Sequence, residues 1–432
     1  MALGGGTFVA QNKVLPGSYI NFVSLANASA ALSDRGIATI ALELDWGKEG
    51  DVFEVTNADF QKNSMKLFGY DYGHPKMKGL RDLFMNVKKV YAYRLNGDGV
   101  KASSIHATAK YGGVRGNDLK VSVQKNVDDG SMFDVCTILG TTVVDKQTVK
   151  TAPELVANDY VTFKSFEMTP TSATPLKSGT NGGAVNGASH QAYLDKIEAY
   201  SFNAMACVTT QDEIKGLYIN FCKRMREELG SKFQVVVYNK AADYEGVVNV
   251  KNACTDDEAG LVYWVTGITA GCAVNKSNLN RIYNGEHVVK VDFTQNELIA
   301  AIKAGEFTLH KVGSDIRVLE DVNSLVTVSD TKGEIFKDNQ TIRTIDQIAN
   351  DIAVLFNTKY LGVVPNDAAG RVSLWADIVK HHEQLQSIRA IEDFKDADVT
   401  VAMGNTKKSV VVNDAVTVVN AMAKLYMTVT IA

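Results

Sequence analysis

Phe233-Gln234-Val235-Val236-Val237-Tyr238 is a nearly continuous apolar run in the second half of the sequence, and it predicts a strand. Upstream of this run, residues 214–229 have the apolar spacing of an amphipathic helix, and residues 204–208 predict another short strand. Downstream, residues 247–250 predict a strand and residues 256–273 predict a helix. Strands that alternate with helices in this way indicate an α/β layered domain with a largely parallel sheet.

The same alternation continues after this helix. Residues 288–293 predict a strand, residues 298–303 a helix and residues 307–312 another strand. The longest apolar stretch, residues 261–274, is fourteen residues long. A helix needs about twenty residues to cross a bilayer, so this stretch predicts a buried core helix and no direct insertion into a membrane.

The part of the sequence before the α/β region has a different pattern of predicted strands and helices. Residues 37–93 mix short strand and helix patterns, whereas from residue 97 onward strand-like runs alternate with Gly, Asn, Asp and Pro, which predicts an inserted all-β module. Its strands are predicted at residues 105–109, 119–124, 132–139, 142–144 and 161–166. Residues 170–189 are rich in Thr, Ser, Gly, Asn and Pro, and they predict a linker and loop.

The last third of the chain predicts a further α+β unit. It opens with a strand pair at residues 316–319 and 325–328. Two helices follow, the first with apolar residues at i, i+3, i+4 and i+7 from Ile345 onward and the second over residues 371–390. Residues 398–403 predict a strand, and more strands follow after residue 409.

The two ends of the sequence resemble strands that lack a partner. Apolar and polar residues alternate strictly near the C-terminus, so one set of side chains shares a face of the predicted strand. The residues of that strand are Leu425, Tyr426, Met427, Thr428, Val429, Thr430 and Ile431. Near the start, residues 14–22 predict another short extended segment. The terminal strands could pair with another copy of the chain, or they could complete the sheet of their own subunit.

Composition is that of an ordinary globular protein. The chain has 432 residues, of which 45% are hydrophobic and 22% charged, enough for several domains with buried cores. The net charge of −4 gives no electrostatic reason to expect nucleic acid. The N-terminus lacks the pattern of a secretory signal, and the five scattered cysteines predict reduced packing residues. We therefore expect a protein that is assembled in a cytoplasm.

No catalytic motif stands out in the sequence. The patterns of a P-loop, a zinc protease helix, a serine nucleophile elbow and a paired C-x-x-C are absent, so we predict no catalytic residues, metal site or cofactor. His381-His382-Glu383 is the most suggestive cluster, but adjacent helix positions diverge by about 100°, and we interpret it as exposed polarity. The glycine-rich residues 179–187 could hold a phosphate, but without a preceding strand or a lysine they predict a flexible interdomain loop.

Several segments stand out in order along the chain. They are residues 11–22 (QNKVLPGSYINF), 111–119 (YGGVRGNDL), 264–271 (WVTGITAG) with 275–277 (NKS), 318–325 (VLEDVNSL), 342–352 (IRTIDQIANDI) and 424–431 (KLYMTVTI). These segments resemble the contractile tail sheath proteins of bacteriophages, particularly those in prophage-like elements of Gram-positive bacteria. Each segment alone is weakly specific. Together they follow the order of the family over essentially the whole chain, so the resemblance is specific.

The resemblance implies an α/β and β multidomain fold, in which an α/β layered core carries an inserted all-β domain and extended strand arms at both ends. The expected domains are residues 1–22 (N-terminal arm), 23–96 (N-terminal part of the core), 97–178 (inserted β-rich domain), 179–314 (α/β core), 315–408 (C-terminal α+β domain) and 409–432 (C-terminal linking strands). In the family both arms add strands to neighbouring subunits. This assigns the role of N-terminal arm residues to Val14, Pro16, Gly17, Tyr19, Ile20 and Phe22.

The implied function is structural. A sheath subunit polymerises helically with copies of itself around an inner tail tube, and its other partners are baseplate and tail terminator proteins, with no nucleic acid. Contraction then drives the tube through a target cell envelope without nucleotide, which agrees with the missing P-loop. The particle would be a virion tail or a phage-like particle assembled in the bacterial host cytoplasm. The family places the C-terminal domain inward, which makes residues 371–390 candidates for contact with the tube.

Two alternatives belong to other classes. The α/β domain could be the scaffold of a hydrolase-like enzyme, since a fold does not fix a function. A buried Ser/His/Asp constellation would support that alternative, but the sequence contains no feature that points to it. The chain could also be another tail or baseplate structural component, and a small β-rich tube protein encoded directly downstream would favour the sheath instead.

Overall fold

A computed structural model of the protein describes residues 32–431. In this range the α-helices are α1 (Asn57–Phe68), α2 (Lys78–Phe84), α3 (Gly187–Ile197), α4 (Asp212–Glu227), α5 (Leu261–Gly271), α6 (Gln295–Lys303), α7 (Asn339–Leu355) and α8 (Ala368–Ser387). The strands are β1 (Ile37–Leu42), β2 (Phe53–Thr56), β3 (Lys89–Arg94), β4 (Lys101–Ser103), β5 (Ala107–Gly112), β6 (Leu119–Lys125), β7 (Phe133–Leu139), β8 (Thr142–Val149), β9 (Val161–Phe163), β10 (Thr171–Pro175), β11 (Ala204–Cys207), β12 (Gln234–Tyr238), β13 (Val247–Val250), β14 (Glu306–Phe307), β15 (Leu309–Val312), β16 (Asp315–Val318), β17 (Ile391–Glu392), β18 (Val399–Met403), β19 (Val410–Asp414) and β20 (Thr417–Val418).

The described residues form two compact units. The larger, which we call the body unit, contains residues 34–346 and 420–431. The smaller, the C-terminal unit, contains residues 32–33 and 347–419. Helix α7 begins in the body unit and ends in the C-terminal unit. None of the helices described between residues 32 and 431 has the length and apolar character needed to cross a membrane.

The core of the body unit is a seven-stranded sheet with the order β14-β13-β12-β11-β1-β3-β2. All neighbouring pairs are parallel except β2 with β3. Every residue of β11, β12 and β13 is buried, as expected for parallel strands that helices cover on both faces. The structure therefore confirms the predicted largely parallel α/β sheet.

Alternate residues of the central strands enter two separate hydrophobic cores. Val236 belongs to the core formed with α1, α2 and α5, whereas Val235 and Val237 belong to the core formed with α3 and α4. Helix α5 confirms the predicted buried core helix. A Cβ atom on its Gly271 would lie 1.8 Å from the carbonyl oxygen of Asn86, so only glycine permits this close helix packing.

The inserted module is a β-sandwich. Its sheets have the orders β10-β6-β7-β8 and β4-β5-β9, and they enclose a separate hydrophobic core. The predicted linker at residues 170–189 is wrong in its first part, because Thr171–Pro175 pairs antiparallel with β6. The predicted flexible loop at residues 179–187 is also closely packed. A Cβ atom on Gly182 would lie 1.7 Å from the carbonyl oxygen of Gly97.

Two further strand predictions are wrong. Residues 288–293 make only an isolated bridge, Val289 with Cys254. Residues 325–328 form no strand, because the side chain of Asp243 accepts hydrogen bonds from the amides of Val326 and Thr327. The predicted partner of that segment, β16, pairs instead with β15 in an antiparallel ladder.

The C-terminal unit combines helices with two small antiparallel sheets. Helix α8 buries Leu374, Ile378 and Leu385, in agreement with the predicted amphipathic pattern. Strand β18 pairs with β19 over five residue pairs, and β17 pairs with β20. The β18–β19 pair, which we call the C-terminal hairpin, is an isolated two-stranded sheet.

Candidate assembly site

The C-terminal segment, residues 420–431, is attached to the body unit at the start of α7. The Thr341 hydroxyl donates to Asn420 Oδ1 over 3.2 Å, and the Ala421 amide donates to Gln340 Oε1 over 3.0 Å. These two hydrogen bonds hold the segment where it begins. A strand that continued from this point would therefore start from a fixed position on the surface.

Residues 425–431 are exposed and adopt no strand in the described chain. Their side chains are the predicted set Leu425, Tyr426, Met427, Thr428, Val429, Thr430 and Ile431, and the apolar ones are 69–91% exposed. The alternating pattern is present, but no backbone within the described residues pairs with it. The alternative in which this strand completes the sheet of its own subunit is not what the structure contains.

The predicted N-terminal arm residues Val14, Pro16, Gly17, Tyr19, Ile20 and Phe22 lie outside the described residues. The nearest described contacts are made by Leu32, whose amide donates to Gln384 Oε1 over 3.3 Å, and by Ser33, both in the C-terminal unit. The Ser33 hydroxyl donates to Asp351 Oδ1, and its carbonyl oxygen accepts a hydrogen bond of 3.2 Å from the side-chain amide of Gln347. Residue 33 is therefore fixed to α7.

The C-terminal hairpin has the properties of a strand acceptor. Each of its two strands has one edge that pairs with no other strand in the described part of the chain. Most of its side chains are exposed, including Met403, Val411 and Val412. An isolated two-stranded sheet is only marginally stable in water, so a third strand on either edge would stabilise it.

A few side-chain hydrogen bonds hold this hairpin on the C-terminal unit. The Trp375 indole donates to the Val399 carbonyl over 3.0 Å. The side-chain amide of Asn366 donates to the Ser409 carbonyl over 2.9 Å. At the end of β19, His382 Nε2 lies 2.9 Å from Asp414 Oδ2. Trp375 and Asn366 thus hold the backbone of the hairpin, and His382 holds the side chain of Asp414.

The prediction that His381 and His382 are exposed is wrong, since both imidazoles are essentially completely buried. His381 Nε2 lies 3.0 Å from Asp351 Oδ2. The two rings point to different carboxylates, as their adjacent helix positions require, and the described residues contain no cluster that could hold a metal ion. The single-sequence pattern gave no signal for this burial, because both partner carboxylates are distant in the chain.

The carboxylate of Asp351 accepts hydrogen bonds from several side chains. Burial raises its pKa, but hydrogen bonds from His381, Ser33 and Gln347 outweigh burial and hold the pKa below its usual value. Asp351 is therefore an ionised acceptor at neutral pH. It joins α7, α8 and Ser33.

Buried ion pairs fix the first half of α7, where the C-terminal segment is attached. Arg343 Nη2 lies 2.7 Å from Asp321 Oδ2, and Arg226 contacts both oxygens of Asp346 at 2.6 and 2.8 Å. At the start of the helix, burial and then the charge of Asp321 raise the pKa of Asp338 to about 6. The body unit thus holds this helix by charges in its interior.

The C-terminal unit also has a cleft of about 440 Å³. Apolar residues such as Phe356, Leu361 and Leu374 form much of its wall. Arg371, Lys407 and Lys408 add three positive charges, and they form no ion pair within the described residues. The lining residues come from three separate segments, so no sequence pattern identifies the cleft.

Comparison with known proteins assigns nearly all of the described chain to one family. The sequence matches the tail sheath protein Gp18 domain III N-terminal region at residues 35–95, the phage tail sheath protein beta-sandwich domain at 87–181, the phage tail sheath protein central domain at 183–324 and the phage tail sheath C-terminal domain at 331–432.

Individual relatives cover nearly the whole chain. The phage-like element PBSX protein XkdK of Bacillus subtilis is 31% identical over 99% of both chains. The crystal structure of a sheath tail protein from Desulfitobacterium hafniense is 36% identical, covers 89% of this chain and 93% of its own, and has a TM-score of 0.77. The helical sheath of the anti-feeding prophage in its contracted state shares the fold, with a TM-score of 0.58 at 13% identity over 97% of this chain and 99% of its own. This protein therefore belongs to the phage tail sheath family, whose members are structural components of phage tails and phage-like particles and are not enzymes.

Proposed function

We propose that this protein polymerises into a helical sheath around an inner tail tube and contracts to drive that tube through a target cell envelope. Membership of the sheath family supports this proposal, as does the shared fold with a sheath described as helical and contracted. A contact between two different surfaces that does not close into a ring generates an open helix of this kind. Assembly would take place in the host cytoplasm.

The exposed strand pattern at residues 425–431 carries the proposal. In the assembly this segment would add to a free edge of the C-terminal hairpin of a neighbouring subunit. Backbone hydrogen bonds would then provide the strength of the joint, and the alternation of Leu425, Met427 and Val429 with polar residues would set its register. The same pairing would cover apolar side chains that are exposed in the single chain.

The N-terminal arm would supply the second strand of this joint. We assign this role to residues Val14, Pro16, Gly17, Tyr19, Ile20 and Phe22. With one strand from each arm, every subunit would be tied to its neighbours through backbone pairing. Such a mesh stays connected while the body units change their mutual orientation.

Contraction would draw its energy from subunit contacts. If the contracted arrangement buries more apolar surface between body units, each additional Å² contributes about 25 cal/mol. This small gain is repeated in every subunit. The free energy of the whole cylinder therefore falls strongly on contraction, once the baseplate releases the extended form. The mechanism uses no nucleotide.

The basic cleft of the C-terminal unit is the candidate contact with the inner tube. Its charges Arg371, Lys407 and Lys408 have no acidic partner within the described residues, and an apolar wall lies beside them. An acidic and partly apolar patch on the tube would complement this surface. The baseplate and the tail terminator would contact the two ends of the cylinder.

Electron microscopy of the protein expressed alone tests the strand joint. We expect the full chain to form tubular sheath and a variant that lacks residues 422–432 to remain a folded monomer. A matched pair of full-length variants tests the register. The first variant has Leu425, Met427 and Val429 changed to Asn, and the second has Tyr426, Thr428 and Thr430 changed to Ser. We expect the first variant to reduce tube formation more than the second. Tubes of normal diameter from the truncated chain would overturn the proposal.

A further inference from the structure

We propose that Asp351, His381, His382 and Asp414 form a buried charged latch that sets the position of the C-terminal hairpin, with His382 held as an imidazolium cation. The use of the hairpin as a strand acceptor rests on the proposed function. The latch itself is a property of the single chain and can be tested without assembly.

The hairpin needs such a latch because it buries little apolar surface. Of the residues in β18 and β19, Val399 is the one whose side chain is buried, and the outer part of the sheet is exposed. Apolar burial therefore contributes little to holding β19 in place. Its attachment depends on hydrogen bonds near both ends, from Asn366 before the strand and from His382 at its last residue.

The hydrogen-bond partners of the two ring nitrogens determine the charge that we assign to His382. Its Nδ1 lies 2.9 Å from the backbone carbonyl of Ile378, which can only accept. Its Nε2 lies 2.9 Å from Asp414 Oδ2. The Asp414 side chain is 26% exposed, and its carboxylate oxygen is the acceptor of this contact. Both ring nitrogens must then carry a proton, which makes the ring a cation.

His381 has the opposite requirement. Its Nε2 donates to Asp351 over 3.0 Å, and its Nδ1 faces the protonated Nδ1 of His382 at 3.4 Å. A neutral ring with one proton satisfies both contacts, whereas a second cation would face the first inside the protein. The latch therefore contains two carboxylates, one imidazolium and one neutral imidazole.

The same chain of groups reaches Ser33, the second residue of the described chain. Asp351 accepts hydrogen bonds from the hydroxyl and the amide of Ser33. A change at β19 is thus connected through His382, His381 and Asp351 to residue 33. In an assembly, the latch would connect the hairpin that receives a neighbour's strand to Ser33 at the start of the described chain.

Asp414→Asn is the variant that tests the latch, because it keeps the shape of a partly exposed side chain and removes one charge. The matched control is Val411→Thr, which changes an exposed side chain of the same strand and keeps its branched shape. Both variants are made in the full-length chain with Leu425, Met427 and Val429 changed to Asn, which opposes assembly. We expect the amides that pair β18 with β19 to exchange hydrogen at least about tenfold faster in Asp414→Asn, and less than about threefold faster in the control.

Nitrogen-15 NMR of labelled histidine gives the second readout. Two protonated ring nitrogens are expected for His382 in the natural protein, with loss of one proton in Asp414→Asn. A neutral His382 in the natural protein, or unchanged hairpin exchange in Asp414→Asn, would overturn the latch. These measurements use single chains, so they separate failure of the latch from failure of tube formation.

Discussion

The seven-stranded sheet of the body unit and the C-terminal hairpin are opposite kinds of β-structure. In the large sheet, β11, β12 and β13 are buried throughout, and helices cover both faces. In the hairpin, β19 is exposed along most of its length, and each strand has an edge without a strand partner in the described chain. One sheet is complete within its own chain, and the other is left open.

This difference separates folding from assembly in the same molecule. Changes within the body unit should alter the stability of the single chain, because its contacts are internal and buried. Changes to the hairpin and to residues 425–431 should alter assembly with little effect on that stability. Substitutions in the two regions test whether the body unit determines stability and the hairpin determines assembly. The largest change in the stability of the single chain is expected first in the body unit.

Asp321→Asn should have the largest effect. It removes the counter-charge of the buried Arg343 with almost no change in shape, and loss of one partner from a buried ion pair costs about 3–5 kcal/mol. Chemical denaturation of the monomer measures this change. Asp51→Asn is the control, because it removes one partner of an exposed ion pair with Lys48, and the free energy of unfolding should change by less than about 1 kcal/mol.

The ion pair also gives this effect a pH dependence. Burial raises the pKa of Asp321, but Arg343 and the surrounding donors lower it further, so the net shift is downward. A carboxylate with a lowered folded-state pKa stabilises the protein above its ordinary pKa and loses this contribution as the pH falls. The difference in free energy of unfolding between the natural protein and Asp321→Asn should therefore become smaller below about pH 4. A difference that grows in acid would contradict this account.

Val236→Ala and Val412→Ala compare the two sheets with the same chemical change. Val236 is completely buried, so the lost methyl groups and the resulting cavity should reduce the free energy of unfolding by about 2–3 kcal/mol. Val412 is exposed on β19, and its change should stay below about 0.5 kcal/mol in the single chain. Equal losses in the two variants would show that the hairpin is an integral part of the folded core.

The sequence predicted the large sheet well because its signal is local. Near-continuous apolar runs such as residues 234–238 and the periodic helix around residues 214–229 carry their own pattern, and the observed elements agree with them to within a few residues. The errors occur where distant groups replace local pairing. Asp243 satisfies the amides at residues 326–327, and this contact across more than eighty residues has no local signature.

The candidate site was predictable only in part, for the same reason. The alternation at residues 425–431 is visible in the sequence, and the structure leaves that segment exposed. The burial of His381 and His382 was not visible, because Asp351 and Asp414 lie about thirty residues away on either side. Adjacent polar residues on a helix usually indicate a solvated face, and here distant carboxylates override that tendency.

Asp338→Asn should stabilise the body unit slightly. Its pKa of about 6 exceeds the ordinary value, so the natural protein loses stability as the pH rises from about 4 to 6. Asparagine keeps an acceptor for the amides of Gln340 and Thr341 and carries no charge toward Asp321. We expect a gain of about 1–2 kcal/mol at pH 7.5 that disappears near pH 4. A loss of stability at both values of pH would show that the natural charge supports α7.

Val412→Lys should have the smallest effect on the single chain and a large one on assembly. The side chain is already exposed, so the free energy of unfolding should change by less than about 0.5 kcal/mol. A lysine on an open strand edge opposes the addition of another strand, and tube formation should be lost. Asn405→Lys, which adds the same charge at an exposed residue of the turn between β18 and β19, is the control for a general effect of surface charge. If Val412→Lys forms normal tubes, a neighbouring strand does not add at this face of the hairpin, and the hairpin is not the strand acceptor proposed here.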